Sequence, residues 1–133
     1  MAECCTNGKV LVYQCGGGSN TGEIADRIAR QMQKNNIGKM SCLASLGAHL
    51  DRFIISARDA DLNITIDGCQ LACARKIFEH LGLKSRSYIL TEMGVVKGQT
   101  PVSSDIIEKL MTEIGADIEP AILSNEATGC CCG

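Results

Sequence analysis

A near-continuous apolar run, Lys9-Val10-Leu11-Val12-Tyr13-Gln14, ends at Cys15 and leads through Gly16-Gly17-Gly18 into residues that repeat at helical spacing. Such a run suits a strand buried on both faces of a parallel sheet. Ile24, Ala25, Ile28, Ala29 and Met32 then mark one helix face, with Asn20 and Glu23 placed as the N-cap and third residue of a capping box. Strand, tight loop and helix form the start of a crossover, and parallel neighbours can be joined only by crossovers.

The unit recurs along the chain. Lys39-Met40-Ser41-Cys42-Leu43 is short enough for a second strand, followed by small residues and a helix from Leu50 to Ala57. Leu62, Ile64 and Ile66 alternate with polar residues and run into Asp67-Gly68-Cys69; Ala74, Ile77, Phe78 and Leu81 give the next helix face, which stops at Gly82. Ser87-Tyr88-Ile89-Leu90 is a fourth strand, and Ser103 or Ser104 caps a last helix carrying Ile106, Ile107, Leu110, Met111 and Ile114 before Gly115. The alternation predicts an α/β fold: three layers around a mostly parallel four-stranded sheet, with flavodoxin-like or Rossmann-like winding. Residues 1–8 read as an N-terminal arm, 9–115 as a single α/β domain, and 116–133, which include Pro120, as a flexible Cys-rich C-terminal tail.

Charge narrows the partners. Thirteen Lys and Arg against fifteen Asp and Glu leave a net charge of −2, so there is no long-range positive field to draw nucleic acid or an anionic membrane. Two Tyr, two Phe and no Trp also offer little for base stacking. The first residues lack a basic segment followed by an apolar run, so no secretory signal is expected, and no apolar stretch approaches the roughly 20 residues that span a bilayer. The chain is therefore expected in the cytoplasm, where thiols stay reduced. There, nine cysteines in 133 residues point to a metal or redox site rather than a disulfide framework.

Cys15, Cys42 and Cys69 each fall at the carboxyl end of an expected strand, the edge at which open parallel sheets bind ligands. With strand order two, one, three these thiols lie side by side, about 4.8 Å apart by strand spacing. Two thiolates on one zinc are separated by roughly 3.8 Å, so small side-chain adjustments close the gap. Cys73 follows Cys69 by four residues at the start of a helix, a spacing that puts two ligands on one face. Any one of these cysteines taken alone is most simply a small apolar filler. Four at one edge point to a shared site.

These residues also carry a resemblance. The strand ending in Cys15-Gly-Gly-Gly-Ser-Asn, the Lys39-Met-Ser-Cys-Leu-Ala-Ser-Leu-Gly47 segment and Ile66-Asp-Gly-Cys-Gln-Leu-Ala-Cys-Ala74 together resemble the DGC-domain family of zinc-binding proteins, named for the motif at Asp67-Gly68-Cys69. The resemblance covers most of the chain. It implies zinc held by Cys15, Cys42, Cys69 and Cys73, and it supplies a ligand set rather than a reaction. An iron–sulfur cluster is served equally well by four cysteines. Zinc is preferred on the resemblance, and because scattered single cysteines do not match ferredoxin spacing. The remaining cysteines, Cys4, Cys5 and Cys130-Cys131-Cys132, fall outside the family motif.

Cys15 and Cys69 precede helices, whose amino ends offer free N–H groups and partial positive charge to a thiolate. The glycines can bring further N–H groups toward the sulfurs, and Asp67 is placed to orient or cap its turn. A phosphate cradle fits less well. Gly22 is followed by Glu23 rather than the Lys of a Walker A loop, Thr21 stands where a dinucleotide fingerprint needs Gly, and the same Thr21 occupies the Arg position of a Cys-x5-Arg phosphatase loop. The stronger alternative is a thiol-dependent redox enzyme using Cys69 and Cys73, whose spacing is one residue longer than the thioredoxin type. His80 reads as a surface residue near a helix end, His49 as a poor candidate to reach the site, and no Ser-His-Asp or Cys-His arrangement can be assigned.

Overall fold

A computed structural model describes residues 9–127 of the chain. Four strands, β1 (Val10–Gln14), β2 (Lys39–Met40), β3 (Leu62–Asp67) and β4 (Arg86–Ile89), form one all-parallel sheet in the order β2-β1-β3-β4. Among the described residues four helices connect them, α1 (Asn20–Lys34), α2 (Leu43–Gly47), α3 (Asp51–Arg58) and α4 (Cys73–His80), and a 3-10 turn at Leu90–Met93 and a fifth helix, α5 (Ser104–Ala127), follow β4. This is the expected three-layer α/β arrangement, with β1 and β3 as the central strands.

The pleat of β1 explains its unbroken apolar run. Val12 points into a cluster with Ile24, Ile28, Met32, Ile64 and Ile66, which α1 and α5 cover. Leu11 and Tyr13 point the other way, against Leu46, Ala57 and Phe78. Successive strand residues face opposite sides, so a strand covered on both must be apolar throughout. The Tyr13 and Phe78 rings meet edge to face with centroids 4.9 Å apart, a favoured aromatic geometry.

Three elements differ from the sequence reading. The second strand is only Lys39–Met40; Ser41 N–H still bonds to Val12 C=O at 2.9 Å, but at Cys42 the chain turns into α2. The N-cap of α1 is Ser19, whose hydroxyl accepts from Gly22 N–H at 3.3 Å, so Asn20 is the first helical residue and is freed for other contacts. The last helix does not stop at Gly115. It continues through Pro120 to Ala127, because Ile114 and Ile118 prolong the buried stripe that packs beside α1. Pro120 has no N–H to donate to the helix, and it lies at an exposed position. Near the same end, Asp117 accepts from the Tyr88 hydroxyl and pairs with Arg86 Nε at 3.3 Å, tying α5 to β4. The arm at 1–8, with Cys4 and Cys5, and the cysteines at 130–132 lie outside the described residues.

No helix among the described residues is long and apolar enough to cross a membrane.

Candidate functional site

Adjacent parallel strands end at the same edge, and the first residues past β1 and β3 meet there. Cys15 N–H continues the ladder by bonding to Ile66 C=O at 3.1 Å, which sets the Cys15 backbone beside the end of β3. The loop after β1 must then reach the start of α1 while lying against the loop after β3. Two glycines permit this. A Cβ on Gly22 would fall on the Gly17 carbonyl, and a Cβ on Gly68 would come within 2.6 Å of the Thr21 carbonyl carbon. Gly68 of the Asp-Gly-Cys motif is therefore fixed by backbone contact between the two cysteine-bearing loops.

Between these loops lies a cavity of about 160 Å³, lined by Cys15, Cys69 and Cys73 together with Asp67, Thr21 and Lys97. Three of the four expected site residues thus share one enclosure, supplied by separate stretches of chain. All are free thiols; Cys15 and Cys69 are partly buried and Cys73 is exposed. Cys69 is not on a helix, contrary to the reading that put it on one face with Cys73. Residues 69–72 instead form a turn closed by Ala72 N–H bonding to Cys69 C=O at 3.0 Å, and Ala72 adopts a left-handed φ of 50° before α4 begins at Cys73.

Asp67 secures that turn. Ala72 cannot cap α4 with a side chain, and the fully buried Asp67 carboxylate does so in its place, accepting from Ala74 N–H at 2.8 Å and Arg75 N–H at 3.1 Å. Burial pushes the Asp67 carboxyl above its ordinary range, while those two amides pull in the opposite direction.

Cys42 stands apart. It is exposed and lines a different groove, with Lys39, Arg52 and Phe53, on the open side of β2. Because it immediately precedes α2, the neighbouring Ser45 hydroxyl and the Ser45 and Ala44 amides favour its thiolate and hold the thiol below its usual value, although none of them makes a close capping bond to the sulfur. Among the described residues, no group of three or more His, Cys, Asp or Glu side chains is arranged to hold a metal ion. The thiols of the cavity match a soft ion in donor chemistry and would have to converge to enclose it.

Lys97 was not singled out by the sequence. Its Nζ lies 3.7 Å from Cys69 Sγ, on a loop held over the cavity by Asn20. The Asn20 amide group donates to Val96 C=O at 3.1 Å and Thr100 C=O at 2.9 Å, and its oxygen accepts from Gly98 N–H at 2.7 Å. The segment around Lys97 has no apolar periodicity, so nothing local marked it. The one signal was Asn20, a polar residue at a helix start that turns out not to be the cap. His80 sits exposed in the last turn of α4, and His49 occupies a left-handed turn between α2 and α3. A larger hollow of about 830 Å³ lies between α1 and α5, but it contains no thiol, and Arg27 and Arg30 there already pair with Glu23 and Asp26 at 3.0 and 2.8 Å.

A family model described as DGC domain matches residues 11–114. The anaerobic and virulence modulator AnvM of Pseudomonas aeruginosa is 28% identical over 113 residues, covering 83% of this chain and 86% of that protein. No solved structure matches.

Proposed function

The chain belongs to the DGC-domain family, and on that premise we propose that it is a zinc-binding protein whose thiols Cys15, Cys69 and Cys73 take the ion from the walls of the edge cavity. Cys42 is the fourth ligand of this proposal and must swing in from its own groove. The observation that carries the proposal is that three cysteines from two distant chain segments line a single cavity at the ligand-binding edge of a parallel sheet. Thiolates are soft donors suited to zinc, and their convergence would couple metal binding to local order. A site that assembles on binding suits sensing or delivery better than permanent structural support. The name of the Pseudomonas relative, a modulator, is in keeping with sensing. Thiols kept free in this way fit a reducing, cytoplasmic setting.

A thiol-dependent redox role is the second reading, favoured by the Lys97 ammonium beside Cys69. Metal analysis of anaerobically purified full-length protein separates the two. About one zinc per chain, retained through gel filtration and lost in Cys15→Ser or Cys69→Ser, supports the first. Metal-free protein that forms a reversible Cys69–Cys73 disulfide supports the second, and visible charge-transfer absorption would replace zinc with an iron–sulfur cluster.

A further inference from the structure

We propose that Cys69 exchanges with low-molecular-weight disulfides that carry carboxylates, and that Lys97 selects them by charge. The inference rests on reading the edge cavity as a thiol site, and adds to it the chemical class of molecule that reacts there.

Lys97 and Asp67 are the charged residues lining the cavity. Asp67 is fully buried and its two oxygens accept from the α4 amides, so of the two it is Lys97 that an incoming molecule can touch. Lys97 is exposed, and its ammonium has three donors; one faces Cys69 Sγ at 3.7 Å and the others remain for an incoming anion. Its position is not left to a loose loop, because Asn20 grips the backbone at Val96, Gly98 and Thr100. The rim adds apolar surface in Leu71, 62% exposed, and Val96, 48% exposed. At about 160 Å³ the cavity admits a disulfide and its neighbouring carbons, leaving the charged ends of the molecule at the rim, within reach of Lys97.

Cys73 shares the cavity and opens α4, but the Lys97 ammonium lies against Cys69. Cys15 packs against the α1 and α5 core cluster, and Cys42 lies in the other groove. In the exchange, the Cys69 thiolate attacks one sulfur of R–S–S–R. A Cys69–S–R bond forms, the original S–S bond breaks, and R–S⁻ leaves with the electron pair and takes a proton from water. The disulfide is the oxidant, and one equivalent of thiol is released for each adduct.

The test uses metal-free full-length protein with two probes of opposite charge, glutathione disulfide and cystamine, and follows the rate of adduct formation at Cys69 by peptide mass mapping. The wild type is expected to favour glutathione disulfide. Lys97→Ala should lower the ratio of the two rates about fivefold, and Lys97→Glu should invert the preference. Absence of an adduct at Cys69, or a ratio that Lys97→Ala leaves unchanged, overturns the proposal. Zinc content is measured separately on the same proteins. A chain that holds no zinc but keeps the Lys97-dependent ratio overturns the zinc proposal and supports this one; a chain that holds zinc and shows no such ratio does the reverse.

Discussion

The two ends of the thiol-bearing edge are built differently. On the β1 and β3 side, Cys15 and Cys69 sit on loops whose backbones touch where Gly68 meets Thr21 and Gly22, the first loop is itself closed by Gly17 against Gly22, and the turn after Cys69 is fastened by Asp67. On the β2 side, Cys42 follows a strand of two residues and precedes a helix of five, with solvent on its outer face. One side is a fixed enclosure and the other an open margin. For the proposed ligand set, three members share one cavity and would still have to converge, while Cys42 would have to come from the other groove.

The contrast breaks most completely if the enclosure loses its backbone contact. Gly22→Ala should cost about 3 kcal/mol or more, because the added methyl meets main chain rather than a movable side chain, and thermal unfolding will show it. Asp67→Ala leaves one buried and one part-buried amide at the start of α4 without their acceptor and should cost about 2 kcal/mol, read by urea denaturation. Zinc binding sharpens the comparison: Cys69→Ser should abolish retention through gel filtration, whereas Cys42→Ser should weaken it by about tenfold in a competition titration. The smallest effect belongs to the open side. In metal-free protein, Ser45→Ala should move the alkylation profile of Cys42 to higher pH. The sign follows because the Ser45 hydroxyl favours the thiolate, so the wild type reacts at lower pH.

Much of this was legible in the sequence for a physical reason. Strand ends, apolar period and glycine-rich loops are local signals, and in a parallel sheet they fix which residues share an edge; Cys15 and Cys69 were found in that way, whereas Cys73 was picked by a helical spacing from Cys69 that the turn at 69–72 replaces. Cys42 was harder, since its side chain's direction depends on where a very short strand gives way to a helix, and the apolar Leu43 belongs to that helix rather than to the strand. Lys97 was invisible because its role comes from a contact with Cys69, 28 residues away in sequence, and from a clamp made by Asn20, whose partner Val96 is 76 residues away from it. The run of the last helix past Gly115 was missed because Gly115 and Pro120 are ordinary stop signals, overridden by the tertiary burial of Ile118.

The meeting of residues 21 and 68 has a mechanical consequence. With no side chain between them to absorb a displacement, the two loops can shift only as one body, and α1 is anchored to that body at its first turn. At 15 residues and about 1.5 Å per residue, α1 extends roughly 22 Å from the thiols to the far side of the molecule. Ile24, Ile28 and Met32 along it are buried in the core, so a displacement of the cysteine-bearing loops would be passed into the packed interior rather than absorbed at the surface.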